Sequence, residues 1–446
     1  MNPRVCAQLQ STMLLAVGLL VSPFSLLAQD ECEFEGSGPA SEAQEAFQKI
    51  TAESTEEEKF AANTEAIEAL SSQLGGDDPI TLLFAAQALI GLGDYDEARR
   101  HLDHYDEVAP PECEQYGQDQ RYGAWVRLYN TAVSAYSSGQ NDEALETFLL
   151  ANEFQLNLIS INNAALLQIE MGDNLAAIET YETALAADIP DADPDQLRDV
   201  IRGLGDLLSE EGRSDEARTA YEEYLNNYPD DVVIGLSYAG LLAEEDPGES
   251  ENIYNQIMGR SDLSSAQWVE VGVGFYNVSN YGDAAIAFGN ARTSNPYNKE
   301  GMENFVNASV QAGRPGPVMA LADTLVKWYP YDASNYQLYA SVLARADMDD
   351  RAMVVIDDGQ TTDLVFHFVQ MAASNDGVYV VQGSLEARNA TGQVTIPFEF
   401  LDVTGRVVMT EVLSVEAPPS GQTETFRMEV RATVPLAGFR YKKIGT

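Results

Sequence analysis

The chain has 446 residues, 45% of them apolar, so it can bury a sizeable core and is not a disordered acidic tail. With 71 Asp+Glu against 25 Lys+Arg, its formal net charge is −46. That balance excludes nucleic acid and an anionic membrane surface as direct partners, and three cysteines exclude a disulfide-dense scaffold or a four-cysteine zinc site. The first predicted element is not part of the fold. Arg4 is the only charged side chain before Asp30, an apolar run from Met13 to Val21 follows, and Pro23 breaks it. A positive start, a short apolar stretch and a small residue near the cut read as a secretory signal over residues 1–29, cleaved after Ala28 or Gln29. The alternative is a retained N-terminal anchor, although the run is shorter than the roughly 20 residues a membrane span needs. The expected mature protein is exported, to the periplasm or outer cell surface of a bacterium. Cys32 and Cys113 would then share a compartment that permits a disulfide between them; two free thiols are the other reading.

Residues 30–78 come next. Ser41–Leu74 is rich in alanine, with Phe47, Ile50, Phe60, Ile67, Leu70 and Leu74 apolar, and reads as helical. From residue 79 one string recurs: Gly93-Asp-Tyr-Asp-Glu-Ala98, Gly139-Gln-Asn-Asp-Glu-Ala144, Gly172-Asp-Asn-Leu-Ala-Ala177 and Gly212-Arg-Ser-Asp-Glu-Ala217, with Asn280-Tyr-Gly-Asp-Ala284 close to it. The best complete unit is Ser265–Asn298, with Trp268, Gly272, Phe275, Tyr281, Ala284, Phe288, Ala291 and Pro296 at fixed places. These markers resemble the tetratricopeptide repeat family, whose unit is two antiparallel helices in 34 residues.

The same frame gives units at Pro79–Glu112, Trp125–Leu158, Leu158–Asp191, Arg198–Asp231, Val232–Leu263 (its second helix one residue short), Lys299–Asp332 (Pro315-Gly-Pro317 in place of the usual turn) and a frayed last unit from Ala333 to about Gln360. The resemblance implies a right-handed α-solenoid of about eight helix pairs over 79–360, with 30–78 as an N-terminal helical cap. A short helix is marginal alone, so each pair depends on its neighbours.

After about Thr361 the pattern changes to short alternating runs: Leu364–Met371, Val378–Arg388, Val394–Asp402, Val407–Val415, Thr425–Thr433 and Gly438–Lys443. Six such strands predict a small antiparallel β-sandwich over 361–446. Phe398-Glu-Phe-Leu-Asp402 and Gly405-Arg-Val-Val loosely resemble bacterial FxLYD-type sandwiches, without their Leu-Tyr pair. This tail holds 9 acidic and 7 basic side chains, so nearly all the excess charge lies in the repeats. That acidity reads either as a solvated surface adapted to salt or as a groove steering a basic partner.

Candidates for chemistry are few. His101 and His104 lie three apart on one predicted helix, which is short of a metal ligand set, and His367 has no nucleophile motif beside it. The sequence has no Gly-x-Ser-x-Gly, phosphate loop or His-Glu-x-x-His, so no catalytic residue, metal or cofactor is expected. The resemblance instead implies a groove lined by first-helix positions, which fall here on Val126, Tyr129, Val133, Tyr136, Asn162, Leu166, Ile169, Arg202, Asp206, Val269, Val273 and Tyr276. The clamp that such arrays use for carboxylate tails is absent, since no lysine lies between Lys59 and Lys299. The expected function is a non-catalytic exported scaffold holding a protein or peptide in this groove. The alternatives are a glycan or small-ligand binding protein of the envelope, and a structural subunit of an envelope assembly.

Overall fold

The computed structural model describes residues 38–187, 189, 192–373 and 377–443. The expected secretory signal and Cys32 lie outside them. By contacts the chain divides into two compact units, Met1–Ala220 and Tyr221–Thr446.

The first unit is helical: α1 (Gly38–Phe47), α2 (Glu56–Leu70), α3 (Pro79–Leu92), α4 (Tyr95–Val108), α5 (Glu114–Ser137), α6 (Asn141–Phe154), α7 (Leu158–Met171), α8 (Asn174–Ala186), α9 (Pro194–Glu210) and the start of α10 (Ser214–Asn227). The recurring string explains the turns. Gly93 and Gly172 end α3 and α7 with left-handed backbones, φ 83° and 86°, which a side chain would strain. The next residue caps the following helix: Asp94 accepts from the Glu97 amide at 3.3 Å, and Asp173 from that of Ala176 at 3.1 Å. The string's alanines, Ala98, Ala144, Ala177 and Ala217, are fully buried where the paired helices meet. Two buried clusters follow one another, from Ala40 to Ala88 and from Leu82 to Leu167.

One feature of this unit differs from the sequence reading. The helix expected to start at Trp125 starts at Glu114 and runs 24 residues. Nothing between Glu114 and Ala124 stops it. Gly117 is where the helix crosses the Tyr105 ring; an added Cβ there would sit 2.9 Å from it. The Tyr105 hydroxyl donates to the Cys113 carbonyl at 2.7 Å and fixes the preceding turn. The segment expected to be a helical cap is a helix pair, α1 and α2, with a Thr55–Glu58 capping box opening α2.

The second unit continues with α11 (Val232–Glu245), α12 (Pro247–Met258), α13 (Ser265–Asn277), α14 (Tyr281–Ala291), α15 (Lys299–Gln311), α16 (Met319–Trp328), α17 (Ala333–Arg345) and α18 (Asp349–Gln360). Asp246 alone joins α11 to α12, ending one helix and capping the next. Pro315-Gly-Pro317 forms a tight 3₁₀ turn that delays the start of α16 to Met319. The last pair, expected to be frayed, is complete. Its end is held by Arg388, which donates to the carbonyls of Gly359 and Gln360 at 2.9 Å each.

Six strands follow: β1 (Leu364–Ala373), β2 (Val378–Ala387), β3 (Gln393–Leu401), β4 (Val407–Glu416), β5 (Thr423–Arg431) and β6 (Gly438–Tyr441). They make two antiparallel sheets, ordered β1-β2-β5 and β4-β3-β6. On β3, Val394, Ile396, Phe398 and Phe400 face inward at period two, while Glu399 between them pairs outward with Arg440 and Lys442 at 2.7 Å each. Phe366 of β1 packs on Phe398 of β3, centroids 6.3 Å apart, so the sheets lie face to face as a sandwich. The core does not stop at the first strand. Tyr329 donates its hydroxyl to the Phe439 carbonyl at 2.7 Å, and the Tyr331 carbonyl accepts from the Phe366 amide at 2.8 Å. The Tyr329-Pro-Tyr331 turn thus closes one side of the sandwich, and one buried cluster runs from Met302 to Tyr441.

Candidate partner-binding surface

A helix-pair array offers a partner the surface that its own packing leaves uncovered. In the first unit α3 touches α5 and α7 touches α9; in the second α11 touches α13 and α15 touches α17. First helices therefore line up within each unit, with hydrogen bonds joining the α5–α7 and α13–α15 steps, and the candidate positions lie on this wall.

Polar links join this wall from one repeat to the next. Trp125 donates its indole N–H to the Ser160 hydroxyl at 2.9 Å. The Asn163 amide donates to the Tyr129 hydroxyl at 3.3 Å, and that of Asn307 to the Tyr276 hydroxyl at 3.1 Å. Each pair is one repeat apart in sequence. Around the first two, Tyr122, Trp125 and Tyr129 stack along α5, with centroids 5.7 and 5.2 Å apart. Burial raises the Tyr129 phenol above its ordinary range, partly offset by the Asn163 hydrogen bond.

These links sort the expected groove residues. Val126, Tyr129, Asn162 and Leu166 are buried between helices. Asn162 accepts from the Tyr181 hydroxyl at 2.9 Å, so it is spent inside the array. Aromatic and amide side chains at these positions are packing pieces, and a partner does not reach them in this conformation. In the first unit Val133, Tyr136 and Ile169 are half-buried and Asp206 is exposed. Arg202 lies 3.9 Å from Asp206, one turn away on α9. Burial pushes the neighbouring Asp199 carboxyl above its ordinary range against the pull of Arg198 and Arg202. In the second unit Val269 and Tyr276 are half-buried and Val273 is 43% exposed. Sequence reasoning missed Ser160, Asn163 and Asn307; a small polar residue one repeat beyond a first-helix aromatic was the available signal.

Other expected chemistry is placed as follows. His101 is buried 3.6 Å from Glu97, and burial holds its imidazole below the ordinary range. His104 lies 3.1 Å from Asp77, and His367 lies 3.4 Å from Glu386. Among the described residues, no three His, Cys, Asp or Glu side chains gather as a metal site, and no helix is long and apolar enough to cross a membrane. Cys113 is disulfide-bonded, to a partner outside the described residues.

The helix pairs, their caps and their fully buried alanines define a repeat protein of the helix-turn-helix solenoid class. Two segments, residues 79–104 and 156–230, match tetratricopeptide repeat family models, and the chain carries these repeats. Similar solved structures include a tetratricopeptide repeat protein from Parabacteroides merdae, 16% identical over 53% of this chain and 92% of that one, TM-score 0.37. Another is pilF of Pseudomonas aeruginosa, 16% identical over 51% and 99%, TM-score 0.37. A third is the C-terminal part of a repeat-containing protein from Cytophaga hutchinsonii, 14% identical over 52% and 92%, TM-score 0.41. No match was found among curated proteins.

Proposed function

We propose that this chain is a non-catalytic, exported interaction scaffold that holds a protein or peptide on the first-helix wall of its repeats. The observation that carries the reading is a strip on the first unit that stays partly exposed: Val133, Tyr136 and Ile169 are half-buried, and Asp206 is exposed one turn from Arg202. Half-buried apolar positions beside a carboxylate suit a helix or an extended segment bearing both apolar and basic side chains. Export is supported by the N-terminal charge and apolar pattern, and the disulfide at Cys113 accords with an oxidising compartment. Affinity capture from the native envelope extract tests the reading, comparing the natural chain with a Tyr136→Glu, Ile169→Glu double variant at low and high salt. The expected result is a stoichiometric protein captured by the natural chain and lost by the variant. An equal yield from both would overturn the placement on this wall. No protein at either salt would overturn the scaffold.

A further inference from the structure

A second surface lies in the second unit, where the starts of its last two first helices meet the sandwich. A cavity of about 540 Å³ is bounded by the starts of α15 and α17, by Val365 through Met371 of β1, and by Ala437 to Phe439. Consecutive β1 residues border it, the buried Phe366 and Val369 together with the exposed Phe368 and Gln370. Neither face of the strand but its edge therefore meets the cavity, and β1 is the outer strand of its sheet. That edge already takes a backbone from outside the sheet, since the Phe366 amide donates to Tyr331.

Just beyond, the β1–β2 register shifts between His367 and Gln370. Phe368 takes a left-handed backbone, φ 53°, and stands 91% exposed. Gly383 of β2 permits this bulge: a Cβ there would lie 3.0 Å from the Val369 side chain and 3.2 Å from the His367 carbonyl. The floor of the cavity is acidic. Lys299 is bound to Glu303 at 2.6 Å and Asp332 at 2.8 Å, and its ammonium sits 5.5 Å from the centre of the Tyr329 ring. Its charge is already shared by two carboxylates, and the exposed Glu300 adds a third beside it. Burial pushes the Glu303 carboxyl above its ordinary range against the pull of Lys299.

We infer that this cavity docks an extended basic segment of a partner polypeptide, which adds to the β1 edge as a strand, lays an apolar side chain on Phe368 and directs a lysine or arginine to Glu300 and Glu303. An anionic group is disfavoured by the carboxylates. A small cation alone would leave the strand edge and the exposed ring unused. This site uses none of the first-unit positions Val133, Tyr136, Ile169, Arg202 and Asp206 and does not depend on them.

The test uses the full chain and a fluorescein-labelled hexapeptide, Val-Lys-Val-Arg-Val-Lys, capped at both ends, read by fluorescence anisotropy. Controls are its Val-Glu-Val-Glu-Val-Glu counterpart and a form N-methylated at alternate peptide groups, which keeps the side chains but cannot pair as a strand. The basic peptide is expected to bind, with the acidic and N-methylated forms failing. Glu300→Lys, at an exposed position, should weaken binding about tenfold through charge reversal. Phe368→Ala should weaken it severalfold, and circular dichroism should show both variants folded. Equal binding of the N-methylated or acidic peptide, no loss in either variant, or no binding of the basic peptide would each overturn the inference.

Discussion

The first-unit repeats and the C-terminal repeats with their sandwich solve the same burial problem differently. In α3 to α7 the core is assembled from neighbours in sequence, with small residues at the crossings, aromatics beside them and, at the α5–α7 step, two polar links, Trp125 to Ser160 and Tyr129 to Asn163. At the other end the core is assembled across long separations. Tyr329 reaches Phe439, Tyr331 stacks on Tyr441 at 6.0 Å, and Arg388 reaches back to the end of α18. An array tolerates local damage because stability is shared among nearest neighbours, whereas a core joining helices to two sheets loses everything that meets at one residue.

The sharpest way to break the comparison is at Tyr329, which is fully buried. Tyr329→Ala should cost about 3–5 kcal/mol, as for other large aromatic truncations, and should melt the strands together with α15 to α18 in urea. Tyr329→Phe removes only the hydroxyl and should cost about 1 kcal/mol. Strands that stay folded while α15 to α18 unfold would show that the shared core is not cooperative. Cys113 gives the next effect. Cys113→Ser should lower unfolding stability by about 2–5 kcal/mol in oxidising buffer, and the difference should vanish in reductant. Mass spectrometry of non-reduced digests reads the pairing, for which Cys32 is the expected partner.

Smaller effects probe single crossings. A Cβ at Gly274 of α13 would collide with the Tyr254 ring. Gly274→Ala should therefore cost about 1–3 kcal/mol, recovered in part when Tyr254 is also replaced by leucine; denaturant midpoints of the single and double variants measure it. The smallest effect is a titration. Burial holds the His101 imidazole below its ordinary range, so the unfolded state takes up the proton first as pH falls. Stability of the first unit should drop as pH passes down through the ordinary histidine range, and His101→Gln should flatten that slope in pH-dependent urea unfolding.

The repeat register was legible because each residue of the recurring string has one mechanical job: Gly93 ends a helix left-handed, Asp94 caps the next and Ala98 allows close approach. The strands were legible from period-two alternation. The exposed part of the candidate surface was legible only by half. Position rules pointed to the first helices, but whether Tyr129 faces a partner or the next repeat depends on Asn163, an ordinary polar residue 34 positions on. The bulge at Phe368 was hidden for a similar reason. Its run alternates like a regular strand, and the cause sits across the ladder at Gly383. The first eleven residues of α5 were missed because the repeat frame begins at Trp125 and the contact of Gly117 with Tyr105 is not visible in the sequence.

The central claim is that the leftover strip on the first-helix wall, not the outer face of the second helices, meets the partner. Photo-crosslinking tests it most directly, with a benzophenone amino acid placed singly at Tyr136, at Ile169 and, as the outer-face control, at the exposed Leu149 of α6. Each variant is irradiated in native envelope extract. One common crosslinked protein is expected from positions 136 and 169, and none from 149. The same protein crosslinked chiefly from 149, or none from 136 and 169, would contradict the claim.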